Sequence, residues 1–279
     1  MAERTSLAAL LASRRGPLVA DGATATNYYD VGLAVGDAPE EWNLTHPGRV
    51  QSLHRAFVDA GADVILTNTF GCARRRRDAA DVARRAAELA RDVADAVPRP
   101  IVVAGSVGPY TSLTDTFRAT FEGLAAGGVD IVWIETVTSI DHALAAARAA
   151  SDAGLPYTVT WSFAADGRTL AGETPSACVD AVLRLDVPPV ALGVNCGDGP
   201  GAVVEVVRAI VAVARDVPVI AKANCGLPDS DGRYAVTPAR LAAYARAAAD
   251  AGARIIGGCC GATPAHVASM GAALAGYHT

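Results

Sequence analysis

The chain has 279 residues, of which 51% are hydrophobic, and it carries a formal net charge of −5. This length and composition suffice for a large buried core, and they exclude a disordered tail. The acidic balance argues against nucleic acid or an anionic membrane surface as a partner, because both attract basic proteins.

The apolar runs of the sequence are all much shorter than the roughly 20 residues that a membrane-spanning helix needs. The first residues include an acidic Glu3 and lack a clear cleavage site, so we do not expect a secretory signal. Six cysteines are too few for a disulfide scaffold in a chain of this length. We therefore expect a cytoplasmic protein, without membrane association, whose cysteines are free thiols or metal ligands. A homo-oligomer is compatible with the sequence.

Short apolar segments alternate with Ala-rich segments in which apolar residues recur every three or four positions, as on one face of a helix. Several of the predicted helices end in Ala-Gly, and glycine suits the left-handed conformation at a helix end. The eight predicted strands cover residues 17–22, 63–70, 100–109, 129–136, 156–163, 190–197, 218–226 and 254–261.

This alternation predicts a (β/α)8 TIM barrel, with residues 1–279 forming a single domain. A doubly wound open sheet is the alternative. Residues 23–49 contain no clear periodicity, so we expect an extended loop after the first strand.

Barrel enzymes build their sites from the carboxyl ends of the strands. Cys196 ends the sixth predicted strand, and Cys259 and Cys260 end the eighth, so closure of the barrel would bring three thiols to one mouth. Thiolates are suitable ligands for Zn²⁺, and three protein ligands leave a fourth position open for a substrate. The alternatives are three buried small hydrophobic residues or a phosphate-binding glycine turn. We expect Cys72, Cys178 and Cys225 to lie outside the site.

Five motifs at the predicted strand ends carry a resemblance to a known family. They are "DGATAT" at 21–26, "ILTNTF" at 65–70, "WIETV" at 133–137, "GVNCG" at 193–197 and "GGCCG" at 257–261. Together they resemble the homocysteine S-methyltransferase family, which includes betaine-, S-methylmethionine- and cobalamin-dependent members. The resemblance covers nearly the whole chain.

The resemblance implies that Cys196, Cys259 and Cys260 bind zinc and form the catalytic centre. It also implies that the amino acid part of homocysteine is bound by residues that include Asp21, Gly22, Thr67 and Glu135, and Asn195 is a further candidate. Coordination to zinc deprotonates a substrate thiol, which can then attack a methyl group on a cationic donor. Asp21 and Glu135 could hold the substrate ammonium, and either strand-end amides or Thr67 could hold its carboxylate. The alternatives are a loop cap for Asp21 and an ion pair with an arginine for Glu135.

The methyl donor is expected to be a small cation, because the chain ends shortly after the eighth predicted helix and no corrinoid or folate module follows. Aromatic faces attract such cations. Trp42 and Tyr28 are the first candidates, and Tyr29, Phe70 and Trp161 are others. The segments "GDAPEEWNLTHP" and "AKANCGLP" resemble betaine-dependent bacterial members, so betaine is favoured. S-methylmethionine or S-adenosylmethionine is the alternative.

Two further hypotheses remain. Lys222 is the only lysine of the sequence and could be a Schiff-base nucleophile, as in aldolases, or an interior ion-pair partner. The chain could also be a non-catalytic zinc- or thiol-binding barrel.

The arginine run at 74–77 is typical of a solvated loop, with a clamp for an acidic substrate group as the alternative.

Overall fold

The structure is a computed structural model that describes residues 4–74, 77–109 and 115–277. Arg75 and Arg76, which belong to the arginine run, lie outside the described residues, as does Glu3.

Eight strands, all paired in parallel, form one sheet within the described residues. They are β1 (Leu18–Val19), β2 (Val64–Leu66), β3 (Val102–Val107), β4 (Ile131–Val137), β5 (Tyr157–Trp161), β6 (Ala191–Cys196), β7 (Val219–Ala223) and β8 (Ala253–Gly258). Their order in the sheet is β1-β8-β7-β6-β5-β4-β3-β2. Neighbours in sequence are therefore neighbours in space, as in a barrel.

The gap between β1 and β2 is closed just beyond the end of β1. Ala20 forms a bridge to Val64, and the Asp21 amide donates to the Val64 carbonyl at 3.0 Å. The Asp63 amide donates to the Val19 carbonyl at 2.7 Å. These contacts complete the ring, so the predicted (β/α)8 TIM barrel is confirmed and the open sheet is excluded.

The helices that follow the strands pack around the outside of the barrel. They are α4 (Pro47–Asp59), α5 (Ala79–Asp95), α6 (Asp115–Ala126), α7 (Ile140–Asp152), α8 (Pro175–Leu183), α9 (Pro200–Val211), α10 (Pro238–Asp250) and α11 (Pro264–Leu274). From residue 4 onward, three smaller helices precede them, namely α1 (Leu7–Ser13), α2 (Ala25–Tyr29) and α3 (Trp42–Thr45).

Helix starts and ends follow from local sequence. A Thr-Pro pair opens α8, α10 and α11, where the threonine is the N-cap and proline takes a first position that needs no amide hydrogen. The glycines of the Ala-Gly segments have positive φ angles, for example 98° at Gly61 and 101° at Gly252. They supply the left-handed residue that ends a helix before the next strand.

Residues within the strands alternate between two cores, because successive side chains point to opposite faces. Val64 and Leu66 face the barrel interior, whereas Ile65 packs against the outer helices. The interior also receives Leu7, Leu10 and Leu11 of α1. That helix therefore closes the amino-terminal end of the barrel, and the opposite end is left for a site.

Residues 23–49 are not the extended loop predicted from the sequence. They contain α2, α3 and a short 3-10 helix at Pro39–Glu41. The short helices are too brief for a periodic pattern, and their stability comes from packing of Tyr28, Leu33 and Trp42 into a small core with Val50 and Leu89. Among the described residues, no helix combines the length and apolar character needed to cross a bilayer.

Candidate active site

Three cysteine sulfurs converge at the carboxyl-terminal mouth of the barrel. The Sγ atoms of Cys196, Cys259 and Cys260 all lie within 4.8 Å of one another, and those of Cys196 and Cys260 are 4.0 Å apart. All three are free thiols and partly exposed. The contact with Cys259 raises the pKa of Cys196 to about 12, and the contact with Cys196 raises the pKa of Cys260 to about 11. Such a cluster keeps its protons near neutral pH until a cation compensates the thiolate charges.

The backbone around the cysteines explains why they meet. Cys196 has a left-handed φ of 63° and is followed by Gly197 at 75°, so the chain turns sharply at the end of β6. The twin cysteines are fixed against the neighbouring strand: the Cys259 amide donates to the Ala223 carbonyl at 2.7 Å, and the Cys225 amide donates to the Cys260 carbonyl at 2.8 Å. Three adjacent strands thus hold the cluster.

Two asparagine side chains donate hydrogen bonds to the sulfurs. The Nδ2 atom of Asn195 lies 3.7 Å from Cys259 Sγ, and that of Asn224 lies 3.9 Å from Cys196 Sγ. Asn224 also donates to the Gly197 carbonyl at 2.6 Å. Hydrogen bonds of this kind orient metal ligands and reduce the charge on their sulfurs. The set of three thiols therefore has the donor chemistry of a metal site.

A cavity of about 530 Å³ opens directly above the sulfurs. Its floor is formed by the three cysteines together with Glu135, Thr136 and Lys222. Its walls come from the segment after β1, from Gly22 to Thr26, and from the segment after β2, from Leu66 to Gly71. The outer part is bordered by Tyr29, Arg74 and the segment from Gly36 to Glu40. The cavity is large enough for small-molecule ligands.

The two predicted ammonium-binding carboxylates are placed differently. Glu135 borders the cavity, and its Oε1 accepts a short hydrogen bond from the Ser106 hydroxyl. Burial raises the pKa of Glu135 above its usual range, against the opposing effects of Lys222 and Ser106. Asp21 lies just beneath, where its Oδ1 accepts from Lys222 Nζ at 2.8 Å and its Oδ2 from the Leu66 amide at 2.7 Å. Both oxygens of Asp21 thus already have partners.

Lys222 is the central cation of the floor. Its side chain is 2% exposed, and its Nζ lies 5.3 Å from the centre of the Trp133 ring. Burial alone would lower the pKa of Lys222, but the carboxylates of Asp21 and Glu135 raise it above the ordinary value. Lys222 is therefore a charged ion-pair partner.

Other predicted substrate residues also lie at the cavity. Gly22 borders it, and a β-carbon there would come within 2.4 Å of the Ala262 carbonyl, so only glycine fits. The Thr67 hydroxyl bonds to Thr69 at 2.6 Å and accepts from the Ser106 amide at 3.1 Å. The amide of Asn195 is directed to Thr136 and Cys259.

Of the aromatic residues predicted to bind the donor, Trp42, Tyr28 and Trp161 are not among the described residues that line the cavity. Trp42 and Tyr28 pack on each other with ring centres 4.9 Å apart, and both are buried in the small core that they form with Leu33, Val50 and Leu89. Trp161 is fully buried in the core behind β5. The aromatic faces at the cavity belong to Tyr29 and Phe70, each 37% exposed.

The strand pattern predicts Asn224 at the rim of the barrel without a functional role, and it does not indicate Thr136. One signal for Asn224 was present, because the tripeptide Asn-Cys-Gly occurs at 195–197 and again at 224–226. The second cysteine of that pair, Cys225, is buried outside the cluster, as are Cys72 and Cys178. In both copies of the tripeptide, the asparagine side chain donates a hydrogen bond to a cysteine sulfur. No sequence pattern indicated the unusual backbone of Thr136.

An eight-stranded parallel barrel with a three-cysteine metal site at its carboxyl-terminal mouth defines this protein as a thiolate-metal (β/α)8 barrel. The model of the homocysteine S-methyltransferase family matches residues 18–274. The chain therefore belongs to the homocysteine S-methyltransferase family.

Comparisons with individual proteins agree with this family. The chain is 33% identical to methionine synthase of Mycobacterium leprae over 97% of its own length and 25% of that protein, and 32% identical to methionine synthase of Mycobacterium tuberculosis over 92% and 24%. It thus spans about a quarter of the length of these relatives. Among solved structures, the metallated form of the homocysteine methyltransferase MmuM from Escherichia coli shares the fold with a TM-score of 0.80 at 23% identity, covering 95% of this chain and 98% of that one.

Proposed function

We propose that this protein is a zinc-dependent S-methyltransferase that moves a methyl group from a small cationic donor, with betaine favoured, to the thiol of homocysteine, giving methionine. The observation that carries the proposal is the cluster of three cysteine sulfurs within 4.8 Å of one another at the floor of a cavity that also presents Glu135. We further propose that residues 1–279 act as one homocysteine-binding barrel domain.

The residues present fit zinc. Cys196, Cys259 and Cys260 would hold it, since Zn²⁺ prefers sulfur donors and a tetrahedral site with three protein ligands keeps one position for a substrate. When bound, zinc supplies a charge that keeps an added thiol deprotonated near neutral pH. The N–H groups of Asn195 and Asn224 stabilise the negative charge that collects on the protein sulfurs.

Charge balance at the cavity floor supports an amino acid as the substrate. Burial raises the pKa of both Asp21 and Glu135, and when both are ionised they carry two negative charges against the single positive charge of Lys222. A substrate ammonium beside Glu135 would neutralise the remainder and favour ionised Glu135, whose pKa burial raises. In this arrangement Asp21 contributes through Lys222, and glycine at position 22 lets the segment after β1 pack against the Ala262 carbonyl.

The reaction itself needs one displacement. The homocysteine sulfur forms a bond to the donor methyl carbon while the carbon–nitrogen bond of betaine breaks, and the electron pair leaves on the nitrogen of dimethylglycine. Tyr29 and Phe70 offer aromatic faces to the cationic methyl groups in the outer part of the cavity. Arg74 at the rim would pair with the donor carboxylate. S-methylmethionine and S-adenosylmethionine are the alternative donors.

The Schiff-base hypothesis is not supported by the surroundings of Lys222. A nucleophilic lysine needs a depressed pKa. The ion pair with Asp21 at 2.8 Å has the opposite effect and raises the pKa of Lys222.

Metal analysis of the purified protein tests the zinc site. We expect about one zinc per chain, and Cys259→Ala should lose both the metal and activity because two thiolates no longer complete the site. Cys178→Ala is the matched control, because Cys178 is a buried cysteine in α8 outside the cluster. Full zinc content in Cys259→Ala would contradict the assignment.

A donor panel tests the reaction. Homocysteine would be incubated with betaine, S-methylmethionine, S-adenosylmethionine or methylcobalamin, and methionine would be detected by mass spectrometry. We expect methionine with betaine, whereas product with another donor alone would replace betaine by that donor. Tight binding of homocysteine without product from any donor would favour the non-catalytic thiol-binding barrel.

A further inference from the structure

The residue after Glu135 has a backbone conformation that its type disfavours. Thr136 has a left-handed φ of 58°, and threonine is β-branched. Such a residue takes this conformation only where its surroundings enforce it, and these outliers gather at functional sites. Thr136 borders the cavity.

The conformation of Thr136 produces a bulge in β4. The register between β4 and β5 shifts between Ile134 and Val137, so Glu135 and Thr136 leave the regular ladder. A bulge of this kind redirects the side chains it contains. Here Glu135 borders the cavity and bonds to Ser106.

The side-chain amide of Asn195 holds the bulge in place. Its Oδ1 accepts from the Thr136 amide at 2.7 Å, and its Nδ2 donates to the Thr136 hydroxyl at 2.8 Å. A backbone amide can only donate, so the atom facing it must be the oxygen, and this fixes the orientation of the whole group. The second N–H of Nδ2 then points to Cys259 Sγ at 3.7 Å.

We propose that Asn195 is a positioning residue that couples the amino acid pocket to the metal site. It enforces the bulge that aims Glu135 and, with the same amide, fixes the sulfur of Cys259. Asn195 is fully buried with both N–H groups engaged, so its effect on a substrate passes through Thr136 and Cys259. This inference rests on the proposed function, because it takes Glu135 as the residue that binds the substrate ammonium.

A glycine rescue tests the coupling. Methionine binding would be measured by calorimetry on zinc-free protein, and zinc affinity by competition with a chelator. We expect Asn195→Ala to weaken each about tenfold or more. Adding Thr136→Gly to Asn195→Ala should restore methionine affinity at least threefold, because glycine takes a positive φ without cost. The zinc affinity should stay low, since glycine supplies no N–H for the Cys259 sulfur.

The outcomes separate this inference from the function on which it rests. Unchanged methionine binding in Asn195→Ala, or no rescue by Thr136→Gly, would overturn the coupling while leaving the methyltransferase proposal intact. Wild-type protein that binds neither homocysteine nor methionine would overturn both.

A second pair of variants keeps Asn195 and so does not depend on the folding of Asn195→Ala. Thr136→Val keeps the β-branched shape but removes the oxygen that accepts from Asn195, whereas Thr136→Ser keeps that oxygen. We expect valine to weaken methionine binding at least threefold and serine to change it less than twofold. Equal affinities in the two variants would overturn the inference.

Discussion

At the scale of single residues, the cavity floor depends on a buried ion pair. The side chains of Asp21 and Lys222 are each 2% exposed and 2.8 Å apart, and Asp21 also accepts from the Leu66 amide. Because two charges buried together lose their hydration, they are stable only with partners on every side. Trp133 beneath Lys222 and the backbone of β2 supply those partners.

Replacement of Lys222 by methionine should be strongly destabilising, since it leaves the Asp21 carboxylate buried and unpaired. We expect the free energy of unfolding to fall by about 3–5 kcal/mol in urea denaturation. The double variant Asp21→Asn with Lys222→Met should regain much of this loss, because the amide oxygen still accepts from Leu66. A Lys222→Met protein as stable as wild type would contradict this account.

At the scale of secondary-structure elements, the spacing of β6 and β7 decides where the metal ligands lie. Gly193 lies two residues before Asn195, and a β-carbon there would come within 2.0 Å of the Ile220 carbonyl oxygen. The two strands therefore approach each other more closely than side chains allow. This close approach of the two strands sets the positions of Asn195 and Cys196 at the end of β6.

Gly193→Ala should push β6 away from β7 and lower the free energy of unfolding by about 1–3 kcal/mol, as overpacking does. Zinc affinity should fall as well, because Cys196 moves with the strand. Gly201→Ala in α9 is the matched control, since no atom lies within 4 Å of its added β-carbon, and it should be neutral or slightly stabilising. Thermal unfolding of the two variants with metal analysis makes the comparison. Equal stability would count against the close-approach argument.

At the scale of the whole molecule, the barrel separates stability from chemistry. The leucines of α1 extend the apolar core at the amino-terminal end of the barrel, and the sulfur groups collect at the other end. Stability nevertheless depends on a few buried titratable groups. Burial lowers the pKa of His54, which is 2% exposed in α4, to about 4.

The folded protein should consequently lose stability in mild acid. The unfolded chain binds a proton at His54 below about pH 6.5, whereas the folded chain does so only near pH 4, so the free energy of unfolding falls as pH drops between these values. The full loss is about 3 kcal/mol. Denaturation from pH 7 to 4 should show a flatter profile for His54→Leu, while the exposed His46→Gln serves as control. An unchanged profile in His54→Leu would refute the prediction.

Much of the fold follows from local sequence, because periodicity and glycine helix ends report on elements directly. Each of the eight predicted strands overlaps an observed one, but the observed strands are shorter. The largest difference lies at the carboxyl end of β2, which stops at Leu66, and the next residue, Thr67, instead accepts a hydrogen bond from the Ser106 amide of β3. Such contacts depend on tertiary geometry, which no local pattern records.

The same distinction applies to the candidate site. The convergence of the three cysteines could be predicted, because the carboxyl ends of parallel barrel strands all lie at one mouth. Two other features could not be predicted from the sequence. They are the pairing of Asp21 with Lys222, which lie 201 positions apart, and the strained backbone of Thr136. Likewise, Trp42 has an aromatic ring of the kind that binds cations, and in the structure this ring packs against Tyr28 and His46. Whether an aromatic ring faces a ligand depends on loop folding.

Helix α1 closes the amino-terminal end of the barrel, so in the described part of the chain the cavity opens at the opposite mouth. The leucines of α1 fill that end, so a ligand reaches the sulfur cluster through the mouth bordered by Tyr29 and Arg74. Under the proposed chemistry, the amino acid thiol occupies the innermost position and the methyl donor sits above it. On that proposal we expect homocysteine to bind before the donor, and methionine to leave after the demethylated donor.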